Sequence, residues 1–165
     1  VLKKQKSASY DQGKKGESNS WEYLLEYGYT RPTSQQRKNI VEALARQGKQ
    51  IKIRGFDLVE TTHSLILDDV EELSKVIDTI KLFELKTAGA NRKASLKEDF
   101  SGMGFTLTSS EKENAELLGD NYRFLLLNLK NKKYKVCKLQ DFFKPQVSRI
   151  YPTWSIFIKD FGHIQ

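Results

Sequence analysis

The stretch Thr79-Ile80-Lys81-Leu82-Phe83-Glu84-Leu85-Lys86-Thr87 reads as a β-strand. Ile80, Leu82, Phe83 and Leu85 put apolar side chains on both faces, as in a central strand covered on two sides. Glu84 and Lys86 stand two residues apart, so an extended chain projects them from one face. A Glu and a Lys at the end of a buried strand are expensive to desolvate without a partner or a metal ion. The triplet alone leaves two readings open: a surface ion pair at a half-exposed strand end, or the edge of a site.

Working outward, residues 20–27 read as a helix with Trp21, Leu24 and Leu25 on one face and Gly28 as its stop. A second helix is predicted over about 35–47, with an apolar stripe of Ile40, Val41, Leu44 and Ala45. Residues 49–60 read as extended chain with a turn or bulge at Gly55, and Ser64–Leu67 as a short apolar run of the same type. Asp68 or Asp69 caps a short helix carrying Val70, Leu73 and Ile77 on one face. Beyond the strand, Thr108 and Glu111 have the spacing of a capping box; the helix they open turns Ala115 and Leu118 inward and stops at Gly119. Tyr122–Leu129 is a second buried strand, followed by a turn at Asn131-Lys132 and extended chain over Tyr134–Leu139. Phe142 and Phe143 are expected on a short helix, and 154–158 as a last strand. This order predicts an α/β or α+β domain with a mixed sheet.

The chain has 165 residues, the size of one domain, and 38% are apolar in clear runs, enough for a modest core. Its net charge is +7 and its pI about 9.4, which suggests a polyanionic partner. Three clusters carry the excess: Lys3, Lys4, Lys6, Lys14 and Lys15; Lys86, Arg92, Lys93 and Lys97; and Lys130, Lys132, Lys133, Lys135 and Lys138. The first and third suit either DNA contact or plain solvation, and the first predicts a basic, flexible arm over 1–16. The middle cluster lies in a long connection over 87–104 with Gly89, Gly102 and Gly104, a length typical of functional or disordered loops. It is basic enough to close over a phosphate backbone. The single cysteine, Cys137, excludes an internal disulfide framework and a multi-thiolate zinc site, and reads as a buried small apolar residue. His63 and His163 add a poor zinc set. No apolar run approaches the roughly 20 residues of a membrane span. No signal-peptide pattern opens the chain, so a soluble, cytoplasmic protein of bacterial type without a membrane partner is expected.

Three neighbours turn the Glu84–Lys86 pair towards chemistry. The strand around it is central. Gly55-Phe56-Asp57-Leu58 places a carboxylate in an earlier extended segment. The basic loop follows Lys86 at once. Asp57 and Glu84, with the backbone carbonyl of Leu85, form an oxygen set suited to Mg²⁺, with Mn²⁺ as the expected substitute. Such a site performs metal-assisted phosphodiester hydrolysis, with Lys86 orienting or deprotonating the attacking water and offsetting negative charge.

The arrangement Gly-Phe-Asp-Leu followed by Leu-Phe-Glu-Leu-Lys-Thr resembles the PD-(D/E)xK restriction-endonuclease-like superfamily. Within it, Thr106–Ala115 and Asn121–Leu127 are similar to the NO VEIN-type nuclease-like domain, over about residues 50–130. The resemblance implies an αβββαβ core within a single nuclease-like domain over 17–165. It implies Asp57, Glu84 and Lys86 as the catalytic set. The proline usually found before the first acid is replaced by Phe56, and 26 residues separate Asp57 from Glu84, so the helix at 69–77 becomes an insertion. Asp78 is a rival first acid. Glu17 and Glu22 lie at the first helix, where superfamily members often use an acid to contact the metal or its waters, which would make them secondary acids; favourable charge at a helix N-terminus is the preferred reading.

The function expected is a Mg²⁺-dependent DNA endonuclease, or the cleavage subunit of a type II-like restriction or defence enzyme. Arg92, Lys93, Lys97, Lys14 and Lys15 would contact DNA. One such site cuts one strand, so a homodimer or a second, larger subunit is the expected partner. Two alternatives differ in class. One is a non-catalytic DNA-binding module built on a helix-turn-helix from the first two helices. The other is a degenerate nuclease fold acting as an interaction subunit.

Overall fold

The computed structural model of the chain describes residues 22–60, 64–88, 97 and 99–144. The expected arm over 1–16, both tryptophans, both histidines and the strand over 154–158 lie outside these residues. Among the described residues, five strands form one mixed sheet: β1 Tyr29–Thr30, β2 Leu58–Glu60, β3 Lys81–Ala88, β4 Tyr122–Asn128 and β5 Tyr134–Cys137, side by side in chain order. Only β3 and β4 run parallel; the other neighbours are antiparallel. Helices α1 Ser34–Arg46, α2 Val70–Val76 and α3 Ser109–Leu118 join them, and residues 22–25 form a further helical turn. No helix among the described residues is long and apolar enough to cross a membrane.

The parallel pair organises the molecule. Its register runs from Leu82 opposite Tyr122 to Ala88 opposite Asn128. Parallel neighbours cannot be joined by a tight turn, so the chain crosses over through α3. This crossover brings the start of α3 beside the end of β3. Leu82 shares one face of the sheet with Val59, Tyr122 and Phe124, covered by Ile40, Ala43 and Leu44 of α1, Leu73 of α2, and Ala115 and Leu118 of α3. Phe83 and Leu85 point the other way, with Leu58, Leu125, Leu127, Tyr29 and Leu24. Each fully buried Leu or Phe here contributes roughly 1.5–3 kcal/mol from removal of apolar surface from water. By alternation, Glu84 and Lys86 stand on the helix-covered face.

The helix ends follow local chemistry. Thr33 and Gln36 close a capping box at α1, Asp69 caps α2 by accepting from the N–H groups of Glu71 and Glu72, and Thr108 with Glu111 closes the box at α3. Gly28 and Gly119, with φ of +84° and +53°, sit at two of the expected stops. Cys137 is buried, as expected.

Four expectations are corrected. The buried face of α1 is Asn39, Ile40, Ala43 and Leu44, while Ala45 is exposed, because Asn39 turns inward to donate to the Leu67 carbonyl at 3.0 Å. Residues 51–57 are turn and irregular chain, and only Leu58–Glu60 pairs as strand. Ser64–Asp68 is a 3-10 turn rather than extended chain. A helix-turn-helix does not form, since β1 separates the first helical turn from α1 and pairs with β2.

Candidate active site

Asp57 stands where β2 begins. Its N–H donates to the Phe83 carbonyl at 2.7 Å, and its carboxylate accepts from the Leu85 N–H at 3.0 Å. The side chain thus continues the β2–β3 ladder one step beyond the strand. A strand residue directs its N–H and C=O to the same neighbour, so the Leu85 carbonyl lies on the Asp57 side of β3.

The turn before Asp57 is held from both sides of the sequence. The Asn114 side chain accepts from the Lys52 N–H at 2.7 Å and donates to the carbonyls of Lys52 and Gly55 at 2.8 and 3.2 Å. The Tyr122 hydroxyl donates to the Gly55 carbonyl as well. The Arg37 guanidinium donates to the backbone carbonyls of Phe56 and Asp57 and lies 4.0 Å from the Asp57 carboxylate. Gly55 is required by closeness. A Cβ there would stand 2.5 Å from Asn114 Nδ2 and 2.7 Å from the Ser110 carbonyl oxygen at the start of α3. Gly55→Ala is therefore expected to destabilise the fold by about 1–3 kcal/mol, read as a lower denaturant midpoint at unchanged m-value.

Glu84 is 7% exposed. Burial, and then the nearby charge of Asp57, push its carboxyl up to about 9, although Lys86 pulls the other way. Lys86 Nζ donates to Glu84 Oε1 at 3.0 Å and to Glu111 Oε2 at 2.8 Å. Burial lowers the Lys86 ammonium, but the two glutamates outweigh it and hold it above its usual range. Burial also pushes the Tyr122 phenol up, aided by the charge of Glu84.

The Asp57 carboxylate is thus bonded to Leu85, and Lys86 to Glu84, so these four residues are neighbours across β2 and β3. The rival acid Asp78 does not join them: it is exposed in the 3-10 turn before β3 and paired with Lys49 at 2.7 Å. Glu22 is exposed on a helical turn whose Leu24 packs on the opposite face of the sheet, so it is not a secondary acid of this cluster. Glu17, Lys14, Lys15, Arg92 and Lys93 lie outside the described residues; Lys97 is exposed.

Sequence reasoning missed Arg37, Glu111, Asn114 and Tyr122 as site neighbours. One signal was present. The inward face of α3 is Glu111, Asn114, Ala115 and Leu118, and two polar residues on a buried stripe mark a polar site.

Among the described residues no three His, Cys, Asp or Glu side chains form a metal-binding group. Asp57, Glu84 and the Leu85 carbonyl could offer a cation only hard oxygens. This suits a cation that keeps several of its waters, as Mg²⁺ does. Comparison of the chain with protein-family models, curated proteins and solved structures found no match.

Proposed function

We propose that the protein is a Mg²⁺-dependent DNA endonuclease, or the cleavage subunit of one, built on a restriction-endonuclease-like core. The observation that carries this reading is the tie between the Asp57 carboxylate and the Leu85 N–H, which sets the first acid against the Glu84–Leu85–Lys86 segment. The chain order supports it. The helical turn at 22–25, β1, β2, β3, α3 and β4 follow the αβββαβ sequence, with α1 and α2 as insertions.

In this reading Asp57, Glu84 and the Leu85 carbonyl hold the cation. When bound, it supplies charge neutralisation at the scissile phosphate and acidifies water. Lys86, kept protonated by two glutamates, acts as a hydrogen-bond donor that orients the attacking water and stabilises charge developing on the phosphate. This favours the donor role over the alternative of deprotonating the water. Arg37 holds the backbone of Phe56 and Asp57, fixing the angle of the first acid. Lys97 and the basic residues of its loop would meet the DNA backbone. Cutting both strands requires a second copy or a second subunit. The test is incubation with supercoiled plasmid and Mg²⁺ or Mn²⁺, which should give nicked or linear DNA and none in EDTA. Intact DNA that is bound in a salt-sensitive manner without divalent ions would favour the non-catalytic module instead.

A further inference from the structure

We infer that Glu111 is a positioning residue that fixes the Lys86 ammonium for the reaction, beyond its part in capping α3; the inference rests on the nuclease reading. A lysine side chain is a flexible four-carbon stem ending in a point charge, so its placement must come from its partners. Lys86 has two, on different elements: Glu84 on β3 at 3.0 Å and Glu111 on α3 at 2.8 Å. An ammonium has three N–H groups, so these bonds leave one for a water or a phosphate oxygen. In the proposed site Glu84 is shared with the cation, whereas Glu111 belongs to Lys86. Glu111 is itself held. It is 5% exposed, and Oε2, the atom that accepts from Lys86, also accepts from the Thr108 N–H at 3.1 Å. The Phe105 ring lies 5.9 Å from Nζ and shields the group further.

The cap alone does not need a carboxylate. At α1 the same box is closed by an amide: Gln36 Oε1 accepts from the Thr33 N–H at 2.9 Å. Glu111→Gln can therefore keep the cap and remove only the charge that faces Lys86. Thr108→Ala does the converse, weakening the cap while leaving the Glu111–Lys86 pair.

The test compares the two variants with the wild type. Glu111→Gln should melt within a few degrees of the wild type but lose about 10–100-fold in kcat on DNA, with KM unchanged. Thr108→Ala should melt lower yet cleave at the wild-type rate at 25 °C. In the metal-free protein, ¹⁵N NMR of the lysine ammonium groups should show a slowly exchanging Lys86 signal in the wild type and in Thr108→Ala, and clearly faster exchange of that signal in Glu111→Gln, where an uncharged amide oxygen replaces the carboxylate. Wild-type kcat in Glu111→Gln, or a Lys86 exchange rate there equal to that of the wild type, overturns the inference. So does a loss of activity in both variants that tracks their stability. If the wild type cuts no DNA, the nuclease reading falls, and the ammonium signal still decides whether Glu111 holds Lys86.

Discussion

Lys86→Ala should lower Mg²⁺-dependent DNA cleavage by about 10²–10³-fold in single-turnover kcat, the effect of removing one preorganised donor from developing charge. The ammonium lies between Glu84 and Glu111 with the Phe105 ring 5.9 Å away, so the donor lost is one held in a fixed place. The same change leaves two buried carboxylates without their shared partner, and breaking a buried pair from one side costs about 3–5 kcal/mol. Rates should therefore be compared at a temperature where circular dichroism shows both proteins folded. Mg²⁺ binding by calorimetry should survive, because Lys86 is not a ligand. Unchanged cleavage by Lys86→Ala would remove the mechanism proposed here.

The second large effect concerns Glu84. Its carboxyl is raised from 4.5 to about 9 in the folded protein, chiefly by burial and then by Asp57. Between those two values the folded state binds more protons than the unfolded state. Stability from this group is thus fully present below the unfolded pKa and is lost as pH rises through the folded one. Denaturant unfolding of the metal-free protein should show stability falling from about pH 5 to about pH 9, with a flatter profile in Glu84→Gln. Divalent cation should reverse the fall, since a ligand bound only by the native state stabilises it by mass action. Binding at neutral pH should also release a proton, measurable as a buffer-dependent calorimetric heat. A wild-type profile as flat as that of Glu84→Gln over this range would contradict the assigned environment of Glu84.

Much of this site was legible in local sequence. The run Ile80–Thr87 has a strand's length, apolar residues on both faces and an acid–base pair two apart, and β3 follows it closely. The Thr108–Glu111 spacing specifies a cap, and the cap is there. What failed depended on contacts distant in sequence. Ile51 and Phe56 are buried and suggested a strand, yet the chain turns between them because Asn114, 62 residues after Lys52, takes up its backbone groups. The apolar run at Ser64–Leu67 was too short for its periodicity to separate strand from tight helix. The second role of Glu111 depends on where the β3–α3–β4 crossover returns, and Arg37 reaches Asp57 from a helix whose polar residues read as ordinary surface. Local propensity carries no signal for either.

A parallel cleavage assay of wild type and Asp57→Asn on supercoiled plasmid in Mg²⁺ decides whether Asp57 takes part in metal-dependent cleavage. Asp57→Asn retains an oxygen to accept from the Leu85 N–H but removes the charge that would hold the cation. The wild type should give nicked or linear DNA, abolished by EDTA, with a loss of about 10²-fold or more in the variant. Equal cleavage by the two proteins, cleavage that persists in EDTA, or intact plasmid with the wild type in both Mg²⁺ and Mn²⁺ would contradict metal-dependent cleavage through Asp57.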